Sequence, residues 1–412
     1  MRSSNRVIVV SELFYPEEMS TAYIMTCIAD YISEDNEVLV ITGAESYTGK
    51  NRKSSLNKLN ANRFSVKRVF IPKLSKDKLI SRTLRLTILS VSLAITTMTH
   101  LKSEDILFSV TNPAPLVIFL AIVKKIKKAS YIVLVHDVFP ENAVASGVIR
   151  HDSLIFKVVR SIFNWAYKIP DLIIAIGRDM AEIIESKIDL DGKQKIEIIE
   201  NWSDLSVVRP ISRWESRIPE LGLAGKIVIQ YAGNIGRAQG ILDFVRSVRL
   251  VNNDCIHFLY VGRGAHHSEL KEELNGTENA SVLDAFRRNE QAIVLGSCDI
   301  ALVILGKGMY GLGVPSKTYN IMASGKPILF LGPKNSEIYR LINDFDIGWT
   351  FDWGDLSLVN KFINSIKFSD LTNIQSKGIR ARKVAERFYN KEIVMKKFRE
   401  SISIVGNSKI LI

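Results

Sequence analysis

The sequence predicts an α/β protein built from two doubly wound, parallel-sheet domains. Short, continuously apolar, β-branched runs alternate with segments of helical apolar spacing from end to end. The alternation breaks once, over the polar stretch 201–225, and then restarts. Strands that are apolar at every position are covered on both faces, the habit of parallel sheets joined by helical crossovers. At 412 residues the chain is also too long for one small core.

In the first half, residues 6–10, 37–42, 105–110, 131–135, 171–176 and 196–199 read as buried strands. Between them, 21–33, 116–124, 154–167 and 179–186 carry helical spacing. The break holds Pro210, Pro219, Trp202 and Trp214. Strands follow at 226–231, 257–261, 299–304 and 327–331, with helices over 242–251, 267–274, 316–324 and 337–343. A last amphipathic segment, 377–404, belongs to neither sheet by itself. The predicted domains are 1–205 and 206–385, with 386–412 as a terminal helix. No internal repeat is present.

With 47% hydrophobic and 24% charged residues the composition is globular. Cys27, Cys255 and Cys298 are odd in number and far apart, so neither a disulfide framework nor a zinc site is expected, and a reducing cytosol fits. The first 18 residues meet acidic side chains before any long apolar run, so no signal peptide is expected. The uncharged run 86–99 falls short of the roughly 20 apolar residues of a spanning helix.

The net charge of +12 is uneven: residues 50–85 hold twelve Lys or Arg against one acid, Asp77. Such a segment is either a solvated loop or a seat for an anionic surface. Phe64 and Phe70 are its only aromatics, too few for a nucleic-acid site that interleaves bases with rings. It leads directly into the apolar run 86–95. The expectation is a peripheral membrane-docking surface over 50–99, with Lys67, Arg68, Lys73, Lys76, Arg82 and Arg85 meeting anionic lipid. The competing reading of 86–95 is an ordinary helix packed under the sheet.

Ligands of open parallel sheets bind beyond the carboxyl ends of the strands, and two such sheets facing each other would form a cleft. After the strand 226–231 comes GNIGRAQG, in which Gly233, Gly236 and Gly240 permit tight turning and close approach to a ligand. A helix starts there, and Arg237 stands where it could clamp a diphosphate; any strand-to-helix turn also favours glycine. In GVPSKTYNIMASGKP, Ser316 reads as an N-cap, Gly325 as the residue past the helix end and Pro327 as the stop, bringing Ser316 and Lys317 to a phosphate-binding position. His136, Asp137 and Glu141 follow the strand 131–135 in HDVFPE, where His and Asp could orient a sugar hydroxyl. Arg263, in VGRG, could contact a base or ribose or sit in a plain turn. The triplets 189–191 and 344–346 end no strand, and His266 with His267 lacks further ligands, so no metal is expected.

At these motifs the chain resembles glycosyltransferase family 4, retaining enzymes of GT-B fold with two Rossmann-like domains facing a cleft. More narrowly it resembles the WbuB-like and capsular branch that builds O-antigen, colanic acid and capsule repeats. The carriers are FYPEE after the first strand, HDVFPE, IIENWSD, GNIGRAQG, YVGRG and GVPSKTYNIMASGKPIL. The resemblance implies an acceptor-side first domain, a nucleotide-sugar-binding second domain and a last helix that packs back on the first. It implies a donor site of Gly233, Asn234, Gly236, Arg237, Arg263, Ser316, Lys317, Tyr319 and Asn320, with His136, Arg237 and Lys317 catalytic and Glu17, Asp137 and Glu141 on the sugar side. Two departures stand out. A glutamate pair common in the family is replaced by Leu312 and Asn320, and a lysine shortly after the arginine is replaced by Ala238 and Gln239.

The implied reaction moves a sugar from a nucleotide diphosphate, with retention, onto a polyprenyl-diphosphate-linked sugar in capsule or O-antigen synthesis. The expected donor is a UDP-linked N-acetylated amino sugar, such as N-acetyl-L-fucosamine. No cofactor, metal or nucleic acid is expected, and the enzyme would work at the cytoplasmic face of the membrane. The alternatives are a nucleotide-sugar epimerase of the same fold and a non-enzymatic membrane scaffold with a degenerate donor site.

Overall fold

The computed structural model describes residues 5–17, 19–44, 63–70, 79–188, 195–236 and 239–407. The chain divides into two compact units, Met1–Glu200 with Met395–Ile412, and Asn201–Val394.

The first unit is organised on seven parallel strands: β1 (Arg6–Ser11), β2 (Glu37–Gly43), β3 (Ser65–Val69), β4 (Ile106–Val110), β5 (Ser130–Val135), β6 (Leu172–Ala175) and β7 (Lys195–Ile198). Their order is β3-β2-β1-β4-β5-β6-β7. The helices are α1 (Ser20–Ile32), α2 (Leu79–His100), α3 (Leu116–Lys127), α4 (Glu141–Ala145), α5 (Leu154–Tyr167) and α6 (Arg178–Lys187). The direction of winding reverses between β1 and β4, and α2 is the crossover that makes the reversal. Right-handed crossovers then put α2, α3 and α5 on the face of the sheet opposite α1.

Central β4 and β5 are buried at every position, as their unbroken apolar sequences require. Edge strand β3 is different, since its residues SVKRV are mostly exposed; charged edges resist unwanted pairing. It lies inside the stretch 50–99, expected to be a membrane-docking surface. The apolar run 86–95 is the middle of α2, with Leu89, Leu93 and Ala94 buried against the rest of the unit. Within 86–95 the chain is therefore a helix that packs by one row only, with Ile88 and Ile95 exposed on the other. Arg68 donates to the carbonyls of Gly43 and Tyr15, and Arg85 lies 3.7 Å from Glu12 with both side chains nearly buried. Those two cations serve the fold, not a lipid surface. Lys67 Nζ donates to His100 Nε2 at 2.8 Å, and Arg82 is exposed. Lys73 and Lys76 lie outside the described residues.

The second unit has six parallel strands: β8 (Ile227–Ala232), β9 (Ile256–Val261), β10 (Ala280–Leu283), β11 (Ile300–Ile304), β12 (Ile328–Leu331) and β13 (Gly348–Phe351), ordered β10-β9-β8-β11-β12-β13. Its helices are α7 (Ile241–Val248), α8 (His267–Glu273), α9 (Gln291–Gly296), α10 (Lys317–Ala323), α11 (Glu337–Phe345), α12 (Leu356–Ser365) and α13 (Leu371–Phe388). The terminal amphipathic segment is two helices, α13 and α14 (Lys391–Asn407), separated at Tyr389 and Asn390, where Ser203 pairs with the backbone on both sides. From Met395 onward α14 belongs to the first unit, where Phe398 meets Phe108 edge-on and Arg399 bonds the Tyr31 carbonyl. Among the described residues no helix is long and apolar enough to cross a membrane.

Helix α13 passes α10 so closely that a Cβ on Gly378 would lie 2.2 Å from the Gly325 carbonyl oxygen. Helix propensity alone makes Gly378→Ala stabilising by about 1 kcal/mol, but the backbone it meets cannot step aside. Gly378→Ala is expected to cost about 2–3 kcal/mol net and to lower Tm by several degrees in thermal denaturation. Gly225→Ala, where a Cβ meets nothing within 4 Å, is the silent control.

Candidate functional site

After β8 the chain turns through 233–236 and lies directly on the loop that follows β9. The Gly233 N–H donates to the Val261 carbonyl at 2.9 Å, Ile235 to Arg263 at 2.9 Å and His266 to Ile235 at 3.0 Å. A Cβ on Gly262 would stand 1.9 Å from the Gly233 oxygen, and one on Gly264 2.3 Å from the Ile235 oxygen. The Asn234 amide occupies the space where Gly236 and Gly264 would each carry a Cβ, 2.7 Å away in both cases. The glycines of both motifs thus serve loop-on-loop packing before any ligand is considered. Gly240 is the N-cap residue of α7, at φ +73° with the Trp353 ring against it.

Lys317, the first residue of α10, extends its side chain over Gly233, where a Cβ would be 3.6 Å from its Nζ. That Nζ sits 3.6 Å from the centroid of the Tyr231 ring. The Tyr231 hydroxyl in turn donates to the Asn234 carbonyl at 2.7 Å, so one tyrosine braces the turn and seats the ammonium. Burial lowers the Lys317 pKa from its ordinary 10.5 to about 7. Ser316 occupies the N-cap position without a capping side-chain bond, and α10 is only seven residues long. The local positive charge is therefore the lysine's, with little help from a helix dipole.

Ser316, Lys317 and Asn320 are partly accessible, whereas Tyr319 is fully buried and packs on Tyr389 with ring centroids 5.0 Å apart. Tyr319, expected among the ligand contacts, is scaffold. Leu312 is buried as well. Arg263 leaves the turn and reaches Asp284 at 3.3 Å, with its side chain largely exposed. Arg237 and Ala238 lie outside the described residues, and the Gln239 oxygen points at Gly236.

In the first unit, β5 delivers His136 and Asp137, whose N–H groups both donate to Thr111 Oγ1, at 3.1 and 3.3 Å. Burial drives the His136 pKa down to about 4, so the ring is neutral at pH 7. Its Nε2 is enclosed without a hydrogen-bond partner among the described residues. Asp137 accepts from Asn142 at 2.8 Å, and burial raises its pKa to about 6. Glu141 is committed elsewhere: Lys187 Nζ donates to both its oxygens at 2.6 and 2.7 Å, and Arg160 approaches at 3.5 Å. It is the counter-ion of a buried lysine, not a group turned to a sugar. Glu17 sits in a turn, its N–H donating to the Phe14 carbonyl.

The sequence reading missed two supports, Thr111 and Tyr231. Each is a polar-headed residue at or just past the carboxyl end of a strand, and that position was the available signal. Among the described residues no three His, Cys, Asp or Glu side chains gather at a metal-binding spacing.

No protein-family model matches the chain. It is 34% identical over 346 residues to the Pseudomonas aeruginosa protein "Probable glycosyltransferase WbjE", covering 82% of this chain and 84% of that one. Its structure is similar to that of HepE from Anabaena in complex with UDP, with a TM-score of 0.68, 13% identity, and 97% and 99% of the two chains covered. It is also similar to WaaG, a glycosyltransferase involved in lipopolysaccharide biosynthesis, with a TM-score of 0.67, 13% identity, and 96% and 99% covered. At such identities the structural likeness shows the fold, which is GT-B. The chain belongs to the glycosyltransferases, in the group that resembles family 4.

Glu141→Gln removes the counter-ion of Lys187, whose ammonium is buried and cannot reach water. The variant is expected to lose about 3 kcal/mol of stability in urea unfolding. An unchanged midpoint would return Glu141 to the pool of ligand-facing groups.

Proposed function

We propose that the protein transfers a sugar from a UDP-sugar to a polyprenyl-diphosphate-linked sugar, with retention, at the cytoplasmic face of a bacterial membrane. The observation that carries this reading is the Lys317 ammonium, buried over Tyr231 beside the turn 233–236. A diphosphate placed there supplies the counter-charge that the lysine lacks. The complex of HepE with UDP supports a uridine nucleotide, and the part WaaG plays in lipopolysaccharide biosynthesis supports a lipid-linked polysaccharide. The donor proposed is an N-acetylated amino sugar such as N-acetyl-L-fucosamine, and the branch is the WbuB-like, capsular and O-antigen one.

In this mechanism the bond between the anomeric carbon and the phosphate oxygen breaks, and the electron pair leaves with the diphosphate. Lys317 and Arg237 stabilise the charge that develops there, and Ser316 and Asn320 bind the donor beside them. The acceptor hydroxyl oxygen bonds to the anomeric carbon on the face the diphosphate leaves, and an oxygen of that phosphate takes the hydroxyl proton. His136, neutral, offers its unpaired Nε2 to a sugar hydroxyl once the donor sugar packs against it, with Asp137 beside it. No cofactor or metal enters this scheme. Sugar transfer that requires a lipid-linked acceptor tests the reading; an epimerised sugar nucleotide formed without acceptor overturns it.

Lys317 gives a sharper test. With a pKa near 7 in the free protein, it takes up a proton when a diphosphate binds at pH 8 and much less at pH 6. Calorimetry of UDP binding in buffers of different ionisation enthalpy reads that uptake. Lys317→Met abolishes it and weakens UDP binding about tenfold or more. The folded pKa lies below the unfolded one, so the group costs stability at and below pH 7, and the cost disappears as pH rises past the unfolded value. Lys317→Met accordingly keeps or raises Tm at pH 7 while losing the ligand. Arg237→Ala lowers turnover by about a hundredfold or more, the scale of one lost charge-stabilising donor, with an unchanged unfolding midpoint.

A further inference from the structure

We infer that the outer surface of helices α2, α3 and α5 is a docking face for an anionic lipid bilayer. The inference rests on the reading above in that a lipid-linked acceptor is what such a face would serve, and it differs from the sequence-based expectation in its location.

The three helices are neighbours on one side of the first sheet, α2 packed on α3 and α3 on α5. Each buries one row and presents another. On α2 the exposed row is Leu84, Ile88 and Ile95, and on α3 it is Ile122 and Ile126. On α5 it is Leu154, Ile155, Val158 and Ile162, at 77%, 67%, 56% and 42% exposed. Single exposed apolar residues are ordinary. Rows at helical spacing on three adjacent helices form a patch, and patches mark interaction surfaces.

The charge pattern names the partner. Helices α2, α3 and α5 contain no Asp or Glu at all, yet carry Arg82, Arg85, Lys124, Lys125, Lys127, Lys157 and Arg160. Carboxylates from elsewhere meet three of these: Glu12 pairs with Arg85, Asp171 with Lys124, and Glu141 approaches Arg160. Lys125 lies over the Trp165 ring at 5.2 Å, and Lys157 is exposed. Beside the apolar row of α5 a pocket of about 700 Å³ opens towards α6, with Lys157, Asn164, Trp165 and Lys168 in its lining. Its one acid, Asp152, is held by Arg150. Apolar side chains bordered by lysines and a tryptophan are what an interfacial helix presents to acyl chains and phosphate headgroups. A second copy of this chain is the poorer occupant, because the face would meet its own cations.

The test is flotation of the full chain with vesicles of phosphatidylcholine alone or mixed equally with phosphatidylglycerol. Binding is expected only with the anionic mixture, and salt should weaken it. Lys125→Gln with Lys157→Gln lowers partitioning by about tenfold or more, and Val158→Glu with Ile162→Glu abolishes it; both pairs are exposed, so circular dichroism and Tm should match the wild type. Equal binding to neutral vesicles, or glutamate variants that float as the wild type does, would overturn the inference. A concentration-dependent dimer lost in the glutamate variants would make the face a contact between copies and also overturn it. UDP binding reports on the transferase reading separately: if wild type floats without binding UDP, that reading fails and the docking face stands.

Discussion

The contact between Gly233 and Gly262 is the constraint on which the second unit's site depends. Two strand-to-helix turns, after β8 and β9, lie backbone on backbone, with the Gly262 Cα against the Gly233 carbonyl oxygen. Because the turns touch, Asn234 has one place to put its amide, between Gly236 and Gly264. Because the first turn is pinned, the Asn234 carbonyl stands where the Tyr231 hydroxyl can reach it. Because Tyr231 is held, its ring face is fixed beneath the Lys317 ammonium. The order of causes runs from missing side chains to a placed cation. Gly233 and Gly262 also hold φ at +149° and +155°, so glycine's freedom of φ and its lack of volume act together here.

The electrostatics of both units follow one rule, that burial without a counter-charge favours the neutral form. Lys317 has an aromatic face and, among the described residues, no carboxylate paired with it, so its ammonium is held at the edge of ionisation near neutral pH. His136 is pressed to neutrality, and Asp137 is moved towards it. Lys187 is the contrast: it is buried too, but Glu141 and its two short bonds offset the loss of water. A buried lysine with its own carboxylate is finished chemistry. One without it has an unmet demand that an incoming anion can satisfy, which is why the two lysines carry different meanings although the sequence writes them alike.

Much of this was legible from residue order. Central strands announce themselves because burial on both faces leaves no polar alternation, as in the ILFSV of β4 and the IALVI of β11. The edge strands β3, β10 and β13 were not seen, for β3 is charged and mostly exposed, and β10 and β13 are four-residue runs only partly buried. The run 86–95 was judged by its length and charge flank, whereas its spacing places Leu89 and Leu93 on one side and Leu84, Ile88 and Ile95 on the other, the signature of a surface helix. In the 316–320 segment the motif was found but not its phase: Tyr319 turns into the core while Asn320, one step on, stays accessible. Phase around a short helix depends on what packs behind it, here Tyr389 at a distance of about 70 residues, and no local pattern carries that.

Counting basic residues along the chain misplaces where positive charge is available. Within 50–85 the described Arg68 and Arg85 spend their charge on carbonyls and on Glu12 inside the fold. On α3 and α5, by contrast, lysines stand among outward-facing isoleucines and valines with no acid on their own helix. Sequence distance hides this, because the two helices are separated by β5 and α4 and meet only when the sheet aligns them. A cation's meaning is set by its nearest carboxylate, and the nearest carboxylate is a property of the fold. Lys317 inside the second unit and Lys157 on the surface of the first are the same case at different depths. Each is a charge that the protein itself leaves for something else to balance.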